Sequence, residues 1–319
     1  MSLDSKYEPR PFHRRYSRLN EIKRAFDREA LRSICQAHER QFGAAYGMTE
    51  VKVDQPAPEN YYFYKDNGSD VLAVAHLDTV GAHEDRKCRF VLTEGAGTVV
   101  FSRALDDRLG AYVILELLPK LGLTYDILLT VGEESGSSTA AYFEPPAGKE
   151  YRYMIEFDRG GTDVVMYQYD DAEVREMVRA CGATPADGIF SDISYLGHLG
   201  IKGFNWGVGY RDYHGPKAHA FLDDTFRMVS HYLDFHDQNE GTAMPHYESD
   251  HGIHWGRSSW GGSTRGWRDW VDEDDEMDRL WRGEKDDDPD LPDFVEHPSL
   301  EQVNAAVAAI PVQASEVEA

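Results

Sequence analysis

Val71-Leu72-Ala73-Val74-Ala75-His76-Leu77-Asp78-Thr79 is the stretch on which the fold turns. An unbroken apolar run of five residues, branched and small, reads as a strand buried on both faces, as in the interior of a parallel sheet. It ends in a polar cluster, so chemistry begins where the strand stops. Four further runs read the same way, at residues 126–131, 153–157, 164–167 and 204–208, and the aromatic stretch 60–64 reads as another strand. Helical patterns lie around and between them. Residues 19–42 carry Leu19, Ile22, Phe26, Leu31, Ile34 and His38 at helical spacing; residues 109–121 are apolar nearly all round, as in a helix covering a sheet. Residues 172–181 form a helix closed by Gly182, and 224–235 another. The alternation predicts an α/β three-layer sandwich with a central, mostly parallel mixed sheet. In that architecture the loops after the strand C-termini carry function.

Composition narrows the function. The chain has 319 residues, 41% of them hydrophobic, which suffices for a real core. Its formal charge of −24 repels phosphate backbones and anionic membranes, excluding nucleic acid and membrane surfaces as partners. The acidity serves solubility or, equally, divalent metal. Cys35, Cys88 and Cys181 are far apart and form no CxxC pair, so neither a thiolate zinc site nor a disulfide framework is expected, and a reducing, cytoplasmic setting fits. Residues 1–15 are polar and charged with no apolar leader segment, and no run is long enough to span a bilayer. A catalytic domain is expected over residues 1–236. Composition changes at Asp237: residues 237–298 are acidic, rich in Gly and Pro, and hold Trp255, Trp260, Trp267, Trp270 and Trp281, reading as a solvated, disordered tail. Residues 299–319 read as a short helix, with Ser299 and Gln302 as a capping box, and a terminal tail.

Five polar clusters carry the chemistry. At His76-Leu77-Asp78 a strand-end histidine suits zinc, and the aspartate two positions on shares its side of an extended chain, where it can accept the second imidazole N–H. At Asp106-Asp107-Arg108-Leu109-Gly110 two adjacent carboxylates need a cation, or a helix N-terminus that Asp107 could cap. Glu133-Glu134 can supply a metal ligand and a general base. Asp158 is a ligand candidate, with Glu156 as the alternative on the same face, and Gly160-Gly161 suggests a tight turn. The last cluster is Tyr210 to Gly215, with His214, followed by His219, Asp223 and Asp224. Each cluster alone is ordinary.

In order, the series His-x-Asp, Asp-Asp, Glu-Glu, Asp, His resembles the co-catalytic di-zinc exopeptidase superfamily of leucyl aminopeptidase and glutamate carboxypeptidase type, over roughly residues 70–230. The resemblance implies that His76 and Asp158 bind one zinc ion and Glu134 and His214 the other. Asp106 bridges them, through a peptide bond to Asp107 that is often cis. Asp78 orients His76, and Glu133 is the general base. Cobalt or manganese could replace zinc. His76 and Asp106 lie too close in sequence for an inserted domain, and so do Asp158 and His214, which points to the single-domain aminopeptidase branch. Tyr213-His214 matches the family's wording, but the acidic residue usual four positions later is here Ala218, whereas His219 has Asp223 at that offset. His214 is preferred over His219, and His251 and His254 read as loop residues.

The activity expected is hydrolysis of a peptide or amide bond, most simply by an aminopeptidase-like exopeptidase. An N-acyl amino acid deacylase, a carboxypeptidase, or a binding module with a degenerate site are the alternatives. Asp192 is a candidate for an α-ammonium group, though a turn or N-cap role suits it better. Arg159 and Arg211 are candidates for an α-carboxylate.

Overall fold

The computed structural model describes residues 12–54, 60–80, 87–93 and 97–247. The expectations for the tryptophan-rich stretch, His251, His254 and the terminal helix lie outside the described residues. The chain opens with three helices, α1 (Phe12–Ala25), α2 (Arg28–Gln36) and α3 (Gln41–Tyr46). Sequence periodicity reads residues 19–42 as one helix, but Asp27 breaks it. Its backbone is extended and its carboxylate accepts from the Glu29 and Ala30 amides, capping α2. Periodicity is blind to such a cap when apolar residues continue in phase on both sides.

Strands β1 (Thr49–Lys52), β2 (Tyr61–Lys65) and β3 (Val71–His76) follow, then β4 (Arg89–Thr93) and β5 (Gly97–Phe101). Helix α4 (Leu105–Tyr112) passes through a π-helical turn at Val113–Leu117 into α5 (Leu118–Lys120). After β6 (Asp126–Thr130), β7 (Tyr153–Arg159) and β8 (Asp163–Val165) come α6 (Ala172–Ala180), β9 (Thr184–Ala186) and a 3-10 helix at Asp192–Leu199. Strands β10 (Gly203–Gly207), β11 (Tyr210–Arg211) and β12 (His219–Phe221) precede α7 (Leu222–Gln238).

The main sheet has eight strands in the order β1-β2-β6-β3-β7-β10-β8-β9. Its centre, β6-β3-β7-β10, is parallel, so four strand C-termini open onto one edge. The outer pairs β1/β2, β2/β6 and β10/β8 are antiparallel, giving the mixed, helix-flanked sheet expected. β7 and β8 are joined by the short Gly160-Gly161 turn, yet they do not pair: β10 threads between them. A second sheet, β11-β12-β5-β4, is not foreseen in the sequence.

Strand alternation sorts β7 into two chemistries. Tyr153 and Phe157 pack edge-on against Phe235 and Tyr232 of α7, with ring centroids 5.8 and 5.3 Å apart. Trp206 of β10 joins this layer, 5.4 Å from both rings. Glu156 and Asp158 therefore face the opposite side. Helix α4 seats against β7 because residue 110 is glycine: a Cβ there would lie 2.7 Å from Phe157 O. The folded unit does not stop at Asp237. Lys202 N donates to Met244 O at 2.8 Å, Met244 N to Arg152 O at 2.9 Å and His246 N to Gly200 O at 2.9 Å. Among the described residues no helix is long and apolar enough to cross a membrane.

Candidate metal centre

All five sequence clusters meet at the edge where the parallel strands end. His76 is the last residue of β3. The β6 loop is drawn tight by Ser137 N donating to Gly132 O and Gly136 N to Glu133 O, each at 2.8 Å, which sets Glu133 and Glu134 beside His76. Asp158 lies near the end of β7, and the loop beyond β11 delivers His214. Asp212 and His214 both adopt positive φ, 48° and 62°. Aspartate and histidine tolerate that region better than branched residues do.

Asp106 is the hinge of the arrangement. Its Oδ1 lies 3.1 Å from His76 Nε2, and its Oδ2 lies 3.0 Å from His214 Nε2. On the first side Asp158 Oδ1 is 3.5 Å from His76 Nε2; on the second Glu134 Oε2 is 2.8 Å from His214 Nε2. Each carboxylate oxygen of Asp106 thus looks at its own imidazole–carboxylate pair. One ligand atom each from His76, Asp106 and Glu134 fall within 4.8 Å of one another, so the two halves adjoin. Glu133 Oε2 is 3.9 Å from His76 Nε2. The Asp106–Asp107 peptide bond is cis, and Asp107 Oδ1 accepts from Gly110 N at 3.1 Å, as a cap for the helix that starts after the kink.

Asp78 acts differently from the expectation. His76 Nδ1 makes its 2.8 Å contact with the backbone carbonyl of Asp78, while the nearer carboxylate oxygen is 3.6 Å away. With Nδ1–H donating to that carbonyl, Nε2 keeps its lone pair for a cation. The Asp78 carboxylate instead accepts from Glu134 N at 3.1 Å, tying the two halves together. His-x-Asp spacing alone cannot say which of the aspartate's oxygens takes the proton.

His214 is at the centre and His219 is not. His219 lies in β12, with its Nδ1 2.9 Å from Lys217 O and its ring beside Phe101 and Phe221. Glu156 faces the site but contacts Ser191 Oγ at 2.6 Å. Asp192 is fully buried, with one oxygen accepting from Thr130 and the other from Ser138. Arg159 and Arg211 are paired with Asp163 and Asp224. Arg108, whose role the sequence leaves open, is buried over the Phe42 ring and donates to Leu77 O at 2.6 Å, next to His76. Tyr210 is also unforeseen: its hydroxyl donates to Asp158 Oδ1 at 2.7 Å. Tyrosines are common enough at strand ends that its position carried no signal.

The electrostatics describe a site built around positive charge. Burial pushes the Glu133 carboxyl up to about 9 and Asp158 to about 7, with nearby carboxylates adding to the effect. Asp107 and Glu156 are raised well above the usual range for the same reasons. Burial opposes charge on the imidazoles, but the Asp158 and Asp106 carboxylates hold His76 well above its ordinary value. Asp106 and Glu134 likewise lift His214 to about 10. Asp106 stays below the usual range despite burial, because both histidines bond to it. Without a cation, the His76 and His214 imidazoles are drawn to hold protons within a knot of acids. Among the described residues, buried Asp78 Oδ1, Asp107 Oδ2 and Glu156 Oε1 have no hydrogen-bond partner. Imidazole nitrogen with carboxylate oxygen is a donor set that suits zinc. The donors present fit such an ion. Among the described residues His214 is the exposed member of the cluster, at 43%, against 9% for Glu134 beside it.

No family model matches the chain, and no curated protein matches it. Several solved structures are similar. Aminopeptidase PepT from Bacillus cereus is 13% identical with a TM-score of 0.44, the match covering 70% of this chain and 97% of that one. A tripeptidase from Staphylococcus aureus is 13% identical with a TM-score of 0.45 over 70% and 97%. A zinc-dependent exopeptidase from Parabacteroides distasonis is 15% identical with a TM-score of 0.39 over 71% and 97%.

Proposed function

We propose that this chain is a metal-dependent hydrolase of peptide or amide bonds, acting as an aminopeptidase-like exopeptidase with two zinc ions. The observation that carries the reading is Asp106, each of whose oxygens faces a separate imidazole–carboxylate pair. His76 and Asp158 would hold one ion, Glu134 and His214 the other, and Asp106 both. Bound zinc supplies Lewis acidity and makes a nucleophile available near neutral pH. Glu133 Oε2 takes the proton of the attacking water and delivers it to the leaving amine. Its buried surroundings favour holding that proton between the two steps. The backbone carbonyl of Asp78 keeps His76 in the tautomer that leaves Nε2 available.

Holding a free α-carboxylate takes a cationic side chain beside the centre. The arginines that are candidates for that role, Arg159 and Arg211, are engaged with Asp163 and Asp224. That sets the aminopeptidase reading above the carboxypeptidase and deacylase readings on the same site. The test is metal analysis of the purified chain combined with a panel of aminoacyl anilides and N-acyl amino acids. Two zinc ions per chain with turnover of the anilides is the expected result. Turnover of the N-acyl compounds alone reverses the substrate class, and a chain that takes up no zinc ends the proposal.

A further inference from the structure

Asp158 is held at all four of its polar atoms. Tyr210 donates to Oδ1 at 2.7 Å and Ser191 to Oδ2 at 3.0 Å. Asn205 accepts from the Asp158 amide and donates to its carbonyl, both at 2.9 Å. The two side-chain donors come from different elements. Ser191 caps the 3-10 helix, and its Oγ, which has one proton to give, lies between Asp158 Oδ2 and Glu156 Oε2, 2.6 Å from the latter. Tyr210 is only 3% exposed, and its hydroxyl also lies 3.4 Å from Asp106 Oδ1. The Gly160-Gly161 turn that follows Asp158 packs against the Tyr210 backbone: a Cβ at residue 160 would stand 3.2 Å from Tyr210 O. Oδ1, the oxygen Tyr210 holds, is also the one that faces His76 Nε2 at 3.5 Å.

The consequence is chemical. A carboxylate with a donor on each oxygen is fixed in orientation and presents a single edge to a cation. One-oxygen coordination at short distance suits a small tetrahedral ion such as zinc. Calcium takes more oxygens at longer distances, often both from one carboxylate. We propose that Tyr210 and Ser191 are positioning residues that clamp Asp158 as a one-oxygen donor, and so set both affinity and metal choice in the half of the centre built on His76. This rests on the metal-centre reading above.

The test is calorimetric titration of the chelator-stripped full chain with zinc and, separately, with calcium. The set is wild type, Tyr210→Phe, Ser191→Ala and the double variant, with circular dichroism to confirm folding. Wild type is expected to take up two zinc ions. Each single variant weakens one zinc step by about 10–100-fold, the usual effect of removing such a supporting hydrogen bond. The other step, carried by Glu134 and His214, stays put. The double variant also narrows the preference for zinc over calcium. If folded Tyr210→Phe and Ser191→Ala both bind zinc within about twofold of wild type at both steps, the clamp is wrong while the metal centre stands. If wild type takes up no zinc, the metal-centre reading itself has failed.

Discussion

Asp106→Ala tests the shared carboxylate most severely. The substitution removes one donor from each half of the centre, since Oδ1 serves the His76 side at 3.1 Å and Oδ2 the His214 side at 3.0 Å. A structural zinc site is worth about 10–16 kcal/mol over four ligands, or about 3 kcal/mol per donor by an even division. That is a loss of about 10²-fold in affinity at each of two sites, from one side chain. The readout is thermal unfolding of stripped protein with and without zinc, alongside calorimetric stoichiometry. At a zinc concentration about 100 times the wild-type Kd, each ion stabilises by about 2.7 kcal/mol, which falls to about 0.4 when Kd rises a hundredfold. For a folded unit of this size, 1 kcal/mol moves Tm by about 2–4 °C. Zinc should therefore raise wild-type Tm by about 10–20 °C and the variant's by about 2–3 °C. A variant that loses one ion and binds the other normally refutes the shared carboxylate, as does one that binds both unchanged.

With Glu133 as the general base proposed above, Glu133→Gln keeps both ions and lowers turnover by about 10²–10⁴-fold; steady-state rates with parallel metal analysis decide it. His214→Ala loses zinc from one half while His219→Ala keeps two ions, measurable by the same titration. Arg108→Met leaves Leu77 O, Ile34 O and Glu39 without the guanidinium that serves them. It should cost about 3–5 kcal/mol of stability in denaturant unfolding. In stripped protein the folded state holds protons that the unfolded chain releases, on Glu133 up to about 9 and His214 up to about 10. Stability of the ion-free chain must therefore fall as pH rises through those values; a Tm that climbs between neutral pH and pH 10 would contradict the assignment. A chain ending at Asp237 loses the Met244 and Arg152 contacts and melts lower than one ending at Tyr247.

The parallel core was legible because β3, β6, β7 and β10 are buried on both faces, which leaves continuous apolar runs with few competing readings. The second sheet was not. Arg89–Thr93 mixes exposed and half-buried positions, and Tyr210–Arg211 is two residues long, so neither shows a period. Ligand candidates were legible for a related reason: buried charge next to an apolar run needs an explanation wherever it occurs. Residues that support the ligands were hidden, since Tyr210 and Ser191 are polar groups whose partners lie 52 and 33 positions away in the chain. Nor could spacing foresee that Asp78 would offer His76 a backbone oxygen.

The place of β10 has a consequence for assembly. His76, Asp106, Glu134 and Asp158 all precede β10 in the chain, and β10 lies between β7 and β8, which are joined by a short turn. Asn205 on β10 braces Asp158, and the loop bearing His214 leaves the sheet beyond it. A ribosome-bound chain cut short before Gly203 would therefore carry four of the five clustered side chains without the strand that braces one of them and leads to the fifth, so the cluster closes only once the sheet is complete.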